Sequence, residues 1–212
     1  DGTYLPPSSF VDIFEKNLFC SKLDFYMLKK AIQQIRKWID MGINPVNISV
    51  NQSKIVFYHE NYISELKSLL EEYNVSGSYI TLEVLESTVI EDIDIFNSIL
   101  TEVKKLGFSV SLDDFGSGYS SLNVLSKLQI DELKIDRIFL HTKSEVDNQR
   151  TKWILESIID IAKKSQILVV VEGVESKQDD LFIKNLGADV GQGYFYGRPL
   201  SISAFNDLIE TK

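Results

Sequence analysis

The sequence is poor in cysteine, histidine and basic residues, and each shortage argues against a class of protein. The single cysteine, Cys20, cannot form an internal disulfide, which favours a reducing compartment such as the cytoplasm. The two histidines, His59 and His141, lie far apart in the sequence, which argues against a histidine metal site. The 22 basic and 31 acidic residues leave a net charge of −9, so a surface for nucleic-acid polymers is not expected. A small nucleotide stays compatible with this charge, because bound cations can supply local positive charge.

Long hydrophobic runs are absent as well. The longest aliphatic run, residues 167–171, is far too short to span a bilayer, and no signal-peptide pattern opens the chain. Hydrophobic residues at 44% and charged residues at 25% of 212 are typical of one globular domain, here residues 1–212. Because the chain opens with Asp1 and Gly2 instead of methionine, we expect it to be a piece of a longer protein, which leaves open a membrane-anchored parent with this part in the cytoplasm.

Apolar residues recur at three- and four-residue spacing in five segments, which predicts amphipathic helices. Three of the segments end at a glycine just before an apolar run, at Gly42, Gly107 and Gly187. Glycine readily adopts the left-handed conformation that closes a helix, so these positions indicate helix-to-strand turns. The five segments are residues 22–40, 63–70, 93–106, 153–162 and 181–186.

Six short segments rich in β-branched residues alternate with the helices and predict a parallel sheet. They are residues 46–51, 79–86, 108–115, 132–140, 166–174 and 188–196. The long polar stretch at residues 142–150 is interpreted as a surface loop.

Polar side chains at the strand ends decide between an open sheet and a barrel. In an open sheet, ligand groups gather mainly around one switch point, whereas a barrel collects them from every strand at one mouth. All six segments end in such residues, which favours a barrel over an open sheet. The residues are Asn51, Glu83, Glu86, Asp113, Asp114, Lys134, Asp136, Glu172, Glu175 and Gln192.

The adjacent pair Asp113 and Asp114 is the sharpest chemical signal. Neighbouring residues of a regular strand point to opposite faces, so both carboxylates can share a site only where the strand breaks into its loop. Two carboxylates so close repel each other unless a cation lies between them, and Mg²⁺ or Mn²⁺ prefers such oxygen ligands. Taken alone, the pair is equally typical of an ordinary surface turn.

Other strand ends supply the remaining groups of a two-metal hydrolytic site. Asn51, Glu83 and Glu172 offer further oxygen ligands, and two metal ions could activate a water for attack on phosphorus. Lys134 could neutralise a phosphoryl oxygen or orient the water. The alternatives are a capping or salt-bridging role for Glu172 and a solvated surface position for Lys134.

Six motifs in order resemble those of the EAL family, bacterial phosphodiesterases that cut cyclic di-GMP to the linear dinucleotide pGpG. The resemblance covers essentially the whole chain. It implies the TIM-like (β/α)8 barrel of the EAL type, with about six of the eight strands visible in this sequence. The motifs are residues 50–53 (VNQS), 82–87 (LEVLES), 111–122 (SLDDFGSGYSSL), 133–137 (LKIDR), 171–175 (VEGVE) and 191–194 (GQGY).

The resemblance assigns a role to each residue of the site. It implies that Asn51, Glu83 and Asp113 bind a first metal ion, and that Asp113 bridges to a second ion held with Asp114 and Glu172. It also implies that Glu172 is the general base for the attacking water and Lys134 the catalytic lysine. Four residues are expected to bind substrate or position loops: Glu86 behind the aspartate pair, Asp136 at the rim, and Glu175 and Gln192 in the outer site.

The chain also departs from the family pattern. Leu85 and Ser117 replace a usual threonine each, and Gln52 replaces a usual leucine. The family opens with two further strands, the second of which carries the Glu-Ala-Leu triplet whose glutamate binds metal, and residues 3–7 (TYLPP) resemble the segment after that triplet. We therefore expect the domain to be N-terminally truncated, and residues 1–212 alone to bind and hydrolyse cyclic di-GMP poorly.

Three functions remain open on the sequence alone. The first is metal-dependent hydrolysis of cyclic di-GMP, with two Mg²⁺ or Mn²⁺ ions expected as cofactors. The second is a catalytically silent module that binds cyclic di-GMP or a protein and reports to an attached domain. The third, without the resemblance, is a magnesium-dependent barrel lyase with Lys134 as its base. Sensory or signalling domains are expected in the parent chain, and a homodimer is one option for its assembly.

Overall fold

A computed structural model describes residues 19–86, 93–117, 122–140 and 145–210. They divide into two compact units, the first ending at Val110 and the second beginning at Ser111. Residues 3–7, residues 118–121 of the aspartate motif, Ser87 and His141 lie outside the described residues. Within the described residues, no helix is both long and apolar enough to cross a membrane.

Among the described residues, the first unit contains four helices and two complete parallel strands. Its helices are α1 (Cys20–Asp40), α2 (Lys54–Phe57), α3 (Tyr62–Tyr73) and α4 (Ile93–Lys105), with a 3₁₀ turn at Gly77–Tyr79. Strand β1 (Ile48–Gln52) pairs with β2 (Ile80–Leu85) so that Asn51 lies opposite Glu83. The apolar stripes predicted for α1, α3 and α4 form the core, because Leu28, Ile32, Leu66 and Leu100 are fully buried there.

The part of the second unit that the structure describes contains four parallel strands in chain order. Strand β3 (Ser109–Phe115), of which all but the first two residues belong to this unit, pairs with β4 (Glu132–Ile135). Strand β4 pairs with β5 (Leu168–Val171), and β5 with β6 (Val190–Gly191). The helices are α5 (Leu122–Lys127), α6 (Glu145–Lys164), α7 (Lys177–Leu186) and α8 (Ile202–Glu210), with a 3₁₀ turn at Arg137–Phe139.

The structure confirms the alternation of helices with parallel strands and the three turns at Gly42, Gly107 and Gly187. These glycines have φ values of +74°, +94° and +87°, in the left-handed region that ends a helix. Four of the predicted segments differ clearly in extent from the structure. The segment 142–150 is not all loop, because α6 begins at Glu145, where good helix formers such as Glu, Gln and Arg outweigh the lack of apolar residues.

The other three segments are strands that end earlier than predicted. The segment 132–140 leaves the sheet after Ile135, because the Asp136 side chain accepts a hydrogen bond from Ile138 N and starts a 3₁₀ turn. The segment 166–174 begins with Gln166 at φ +60°, in the turn after α6, and ends as a strand at Val171. The segment 188–196 keeps only two strand residues, because Gln192 and its successors form a turn.

Candidate metal centre

The carboxyl end of β3 departs from regular strand geometry at the two adjacent aspartates. The register between β3 and β4 shifts between Leu112 and Phe115, and Asp114 has a left-handed φ of +57°. Aspartate is one of the few residues besides glycine that visits this conformation. The irregularity lets Asp113 and Asp114 contribute to one cluster. The strand nevertheless continues to Phe115, so the predicted break into the loop at this pair is instead an irregularity within the strand.

Three carboxylates from two strand ends form that cluster. One oxygen each of Asp113, Asp114 and Glu172 lies within 4.8 Å of the other two. Asp113 is buried, and Asp114 and Glu172 are half-buried. Closely spaced carboxylate oxygens are the ligands that Mg²⁺ and Mn²⁺ prefer, so this donor set fits a divalent cation.

Lys134 joins two members of the cluster from the strand between them. Its Nζ lies 3.0 Å from Asp113 Oδ1 and 2.8 Å from Glu172 Oε1. The residue is only 4% exposed, so the alternative of a solvated surface lysine is wrong. Strand β4 lies between β3 and β5 in the second unit, which explains why its lysine reaches both neighbours. The Lys134 ammonium group is therefore paired with two of the three carboxylates of the cluster.

The electrostatic environment of Glu172 reflects its burial. Partial burial raises the pKa of this carboxyl above its usual value, and the nearby charges of Asp113 and Asp114 act in the same direction. The hydrogen bond and charge of Lys134 oppose the rise in pKa. Both interpretations of Glu172 thus find support, because it is salt-bridged and also belongs to the acidic cluster.

The remaining site residues of the second unit lie on the loops around the cluster. Asp136 uses its carboxylate to cap the 3₁₀ turn after β4. Glu175 and Gln192 are exposed, and the Gln192 backbone is bonded to Val171 O at 2.9 Å and to Val174 N at 3.0 Å. Ser117, one of the departures from the family pattern, donates its hydroxyl to Asp114 O at 2.9 Å, as a threonine could.

Asn51, Glu83 and Glu86 belong to the first unit. Asn51 is exposed, whereas Glu83 and Glu86 are buried. The departure at Gln52 has a physical explanation, because its carboxamide donates to Asn51 O at 3.0 Å and accepts the Tyr62 hydroxyl at 3.1 Å. The assignment of Asn51, Glu83 and Glu86 to a common site with the acidic cluster stays a prediction.

Sequence reasoning did not single out Asp180 and Tyr196, whose side chains are joined by a hydrogen bond. A weak signal was available on α7. Ser176 and Asp179 form a capping box at the start of this helix, which accounts for Asp179 but leaves the adjacent Asp180 unexplained.

Comparisons with known proteins place the chain among the relatives that the motifs suggested. The family model described as "EAL domain" matches residues 1–199. The chain is 33% identical over 196 residues to the bifunctional diguanylate cyclase/cyclic di-GMP phosphodiesterase MucR of Pseudomonas aeruginosa, a match that covers 92% of this chain and 28% of MucR. It is 31% identical over 202 residues to the cyclic di-GMP phosphodiesterase PdeR of Escherichia coli, covering 95% of this chain and 30% of PdeR. The chain thus spans less than a third of the length of these relatives.

Solved structures show the same fold. The MucR phosphodiesterase in complex with c-di-GMP matches with a TM-score of 0.85 at 32% identity, over 95% of this chain and 81% of that chain. The EAL domain of DcpA from Mycobacterium smegmatis matches with a TM-score of 0.81 at 28% identity, over 91% of this chain and 86% of that chain. These matches confirm the predicted fold class, the TIM-like α/β fold of EAL domains.

Proposed function

The chain belongs to the EAL domain family, and on that premise we propose that it hydrolyses cyclic di-GMP to pGpG. The observation that carries the proposal is the cluster of Asp113, Asp114 and Glu172 with Lys134 bonded between two of them. Support also comes from MucR and PdeR, which are named as cyclic di-GMP phosphodiesterases. A cluster of acidic ligands beside a buried lysine suits the hydrolysis of a phosphodiester, because the carboxylates can hold divalent cations and the lysine ammonium group can stabilise negative charge that develops on phosphoryl oxygens.

The proposed cofactor is Mg²⁺ or Mn²⁺, as two ions. Asp113, Asp114 and Glu172 would hold them together with Asn51 and Glu83. When bound, such ions neutralise phosphate oxygens and lower the pKa of water. The carboxylate cluster fits this cofactor because closely spaced carboxylate oxygens are the ligands that Mg²⁺ and Mn²⁺ prefer.

The protein's own side chains would accept a proton from the attacking water and stabilise the negative charge on the phosphate. Glu172 accepts a proton from the attacking water, whose oxygen forms the new bond to phosphorus. The P–O3′ bond breaks, and the leaving 3′ oxygen takes a proton from solvent water, so the product pGpG carries a 5′-phosphate and a free 3′-hydroxyl. Lys134 stabilises the charge on a phosphoryl oxygen with its ammonium group. Glu86, Asp136, Glu175 and Gln192 stay proposed as loop-positioning or substrate-binding residues.

The setting of the domain is also a proposal. Because the chain spans 28% of MucR and 30% of PdeR, attached sensory or signalling domains are expected in the whole protein. A cytoplasmic location follows from the single cysteine and from a nucleotide substrate. Assembly as a homodimer stays an open option.

Hydrolysis is tested by chromatographic detection of pGpG after incubation with cyclic di-GMP and Mn²⁺. Glu172→Gln keeps the shape of the side chain but removes its basicity, so turnover is expected to fall by about a hundredfold or more, while binding survives. Glu156→Gln, an exposed position on α6, is the matched control and should keep wild-type turnover.

Three outcomes would redirect the proposal. Wild-type protein that binds cyclic di-GMP without releasing pGpG would be a regulatory binding module. Protein that neither binds nor cleaves cyclic di-GMP, but deprotonates a carboxylic acid in a substrate panel, would be the lyase. Full turnover of Glu172→Gln would move the role of general base to another residue.

A further inference from the structure

A buried carboxylate on α7 holds the turn that follows β6. The Tyr196 hydroxyl donates a hydrogen bond to Asp180 Oδ1 at 2.6 Å, and Lys184 Nζ lies 2.9 Å from the same carboxylate. Asp180 is 7% exposed, whereas Tyr196 is half exposed. A hydrogen bond from a phenol to a buried carboxylate is charge-assisted and directional, so this bond restrains the position of the turn that carries Tyr196.

The Tyr196 side chain reaches α7 by crossing directly over β6. A Cβ atom built on Gly191 would lie 2.3 Å from the Tyr196 hydroxyl oxygen and 2.8 Å from Ile183 Cδ1. Any other residue at position 191 would therefore push the phenol away from Asp180. The glycine at position 191 therefore leaves room for the hydrogen bond between Tyr196 and Asp180.

The same turn is bonded to the segment that carries Glu172. Gln192 N donates to Val171 O at 2.9 Å, and Val174 N donates to Gln192 O at 3.0 Å. Phe195 N donates to Val174 O at 3.0 Å. Val171 and Val174 flank Glu172 on both sides, so a displacement of the turn is passed to the backbone of the glutamate.

Helix α7 restrains the other end of the segment that carries Glu172. It begins at Lys177, directly after the Glu172 segment, and its capping box fixes the start of the helix. The Glu172 segment is thus held by the turn at Val171 and Val174 and by the helix at its far end, and the Asp180–Tyr196 bond joins turn to helix.

From these contacts we infer that Asp180 and Tyr196 are positioning residues for Glu172, acting through the turn at residues 191–196. The inference deepens the proposed function and rests on it, because it concerns the residue proposed as general base. Neither side chain needs to touch the substrate. A shift of a catalytic group by about 1 Å can cost a factor of about 100 in rate, so a restraint of this kind affects turnover.

The charge state at neutral pH supports a strong bond. Burial, followed by the hydrogen bond to Asp180, raises the pKa of Tyr196 to about 12. The hydrogen bond from Tyr196, with the charges of Lys184 and Lys177, lowers the pKa of Asp180. The pair is therefore a neutral phenol donating to a carboxylate, a charge-assisted bond.

The test compares steady-state kinetics and amide hydrogen exchange of Tyr196→Phe with the wild type. The variant loses only a hydroxyl, so kcat should fall about tenfold while KM for cyclic di-GMP stays within about twofold. Exchange at the Glu172 and Val174 amides should become faster. Tyr26→Phe removes a hydroxyl from an exposed tyrosine of α1 and should change neither readout.

Two further variants separate positioning from general destabilisation. Asp180→Asn keeps an acceptor oxygen and should lose only about two- to threefold in kcat, whereas Asp180→Ala should resemble Tyr196→Phe. The double variant Asp180→Ala/Tyr196→Phe should be no slower than either single variant, because each single substitution already removes the same hydrogen bond. A lower melting temperature with unchanged kcat and unchanged exchange at Glu172 would overturn the inference. If Tyr196→Phe does not fold, the difference in kcat between the two Asp180 variants decides.

Failure of the proposed function gives a different result. If the wild type releases no pGpG, exchange at the Glu172 and Val174 amides decides alone. Faster exchange at these amides supports positioning of the Glu172 segment, and faster exchange confined to Tyr196 and Gly197 refutes it.

Discussion

At the scale of single residues, Lys134 forms ion pairs with two carboxylates, those of Asp113 and Glu172. Its side chain is 6% exposed, and those of Asp113 and Glu172 are 13% and 20% exposed. Removing one partner of a buried ion pair costs about 3–5 kcal/mol, because the opposite charge stays buried. Lys134→Met should therefore lower the melting temperature strongly, whereas Lys164→Met, which breaks an exposed pair with Asp160, should change it little.

The same variant tests the proposed metal site. Millimolar Mn²⁺ should raise the melting temperature of the wild type and raise that of Lys134→Met by more, since the cation replaces the lost ammonium charge. Asp113→Ala should lose most of the gain. The melting temperatures of all three proteins are measured in Mn²⁺ and in chelator. A wild-type melting temperature that ignores Mn²⁺ would count against the metal site.

Tyr196 supports a prediction about pH. The raised pKa of about 12 means that folding favours the neutral phenol. Its stabilising effect is thus fully present below the ordinary tyrosine pKa of about 10 and is lost as pH rises through about 12. Ultraviolet titration of tyrosinate, with Tyr196→Phe subtracted, should isolate this group. Asp180→Asn should move its pKa towards 10, because a neighbouring negative charge is removed, and an unmoved pKa would show that burial alone is the cause.

At the scale of elements, the turn after β6 depends on how closely two backbones approach. A Cβ atom built on Gly193 would lie 2.1 Å from Val174 O, whereas one on Gly197 has nothing within 4 Å. Gly193→Ala should thus displace the turn and cost about 1–3 kcal/mol, a fall in melting temperature of several degrees. Gly197→Ala, four residues away, should stay close to wild type. Equal melting temperatures of Gly193→Ala and Gly197→Ala would mean that the turn at Gly193 can move away from Val174 without a cost in stability.

Periodicity predicted the elements of this protein better than it predicted their ends. The stripes of α1, α3 and α4 were sufficient because each helix buries one apolar face. The end of β4 was missed because a single side chain, Asp136, replaces the next strand hydrogen bonds with a turn. The residues after Val190–Gly191 have strand-like composition, and their turn depends on bonds to Val171 and Val174 that no local pattern reveals.

The acidic cluster was predictable for a related reason. Parallel strands bring their carboxyl ends to one edge, so Asp113, Lys134 and Glu172 could be expected together from strand order. The contact between Asp180 and Tyr196 could not, because it joins a helix interior to a turn and carries no spacing rule. The left-handed backbone of Asp114 was implied only indirectly, by the need for two adjacent carboxylates to share a site.

At the scale of the whole molecule, the net charge of −9 opposes the approach of an anionic dinucleotide. Without divalent cations, binding of cyclic di-GMP should therefore be unchanged or stronger as salt rises from about 10 to about 100 mM, because screening shortens the Debye length from about 30 to about 10 Å. Calorimetry in chelator measures this. Steep weakening with salt would instead indicate a basic binding surface. The weak activity expected of residues 1–212 alone stays a prediction.

The left-handed backbone at Asp114 also has an evolutionary consequence. Only glycine, asparagine and aspartate adopt this conformation at low cost, so the backbone narrows the substitutions that leave the fold intact. Codons for asparagine and glycine each lie a single nucleotide change from those for aspartate. The mutations that drift most easily into this position thus delete a carboxylate from the cluster and keep the fold, and a gene copy released from selection would lose its charge here long before it lost its structure.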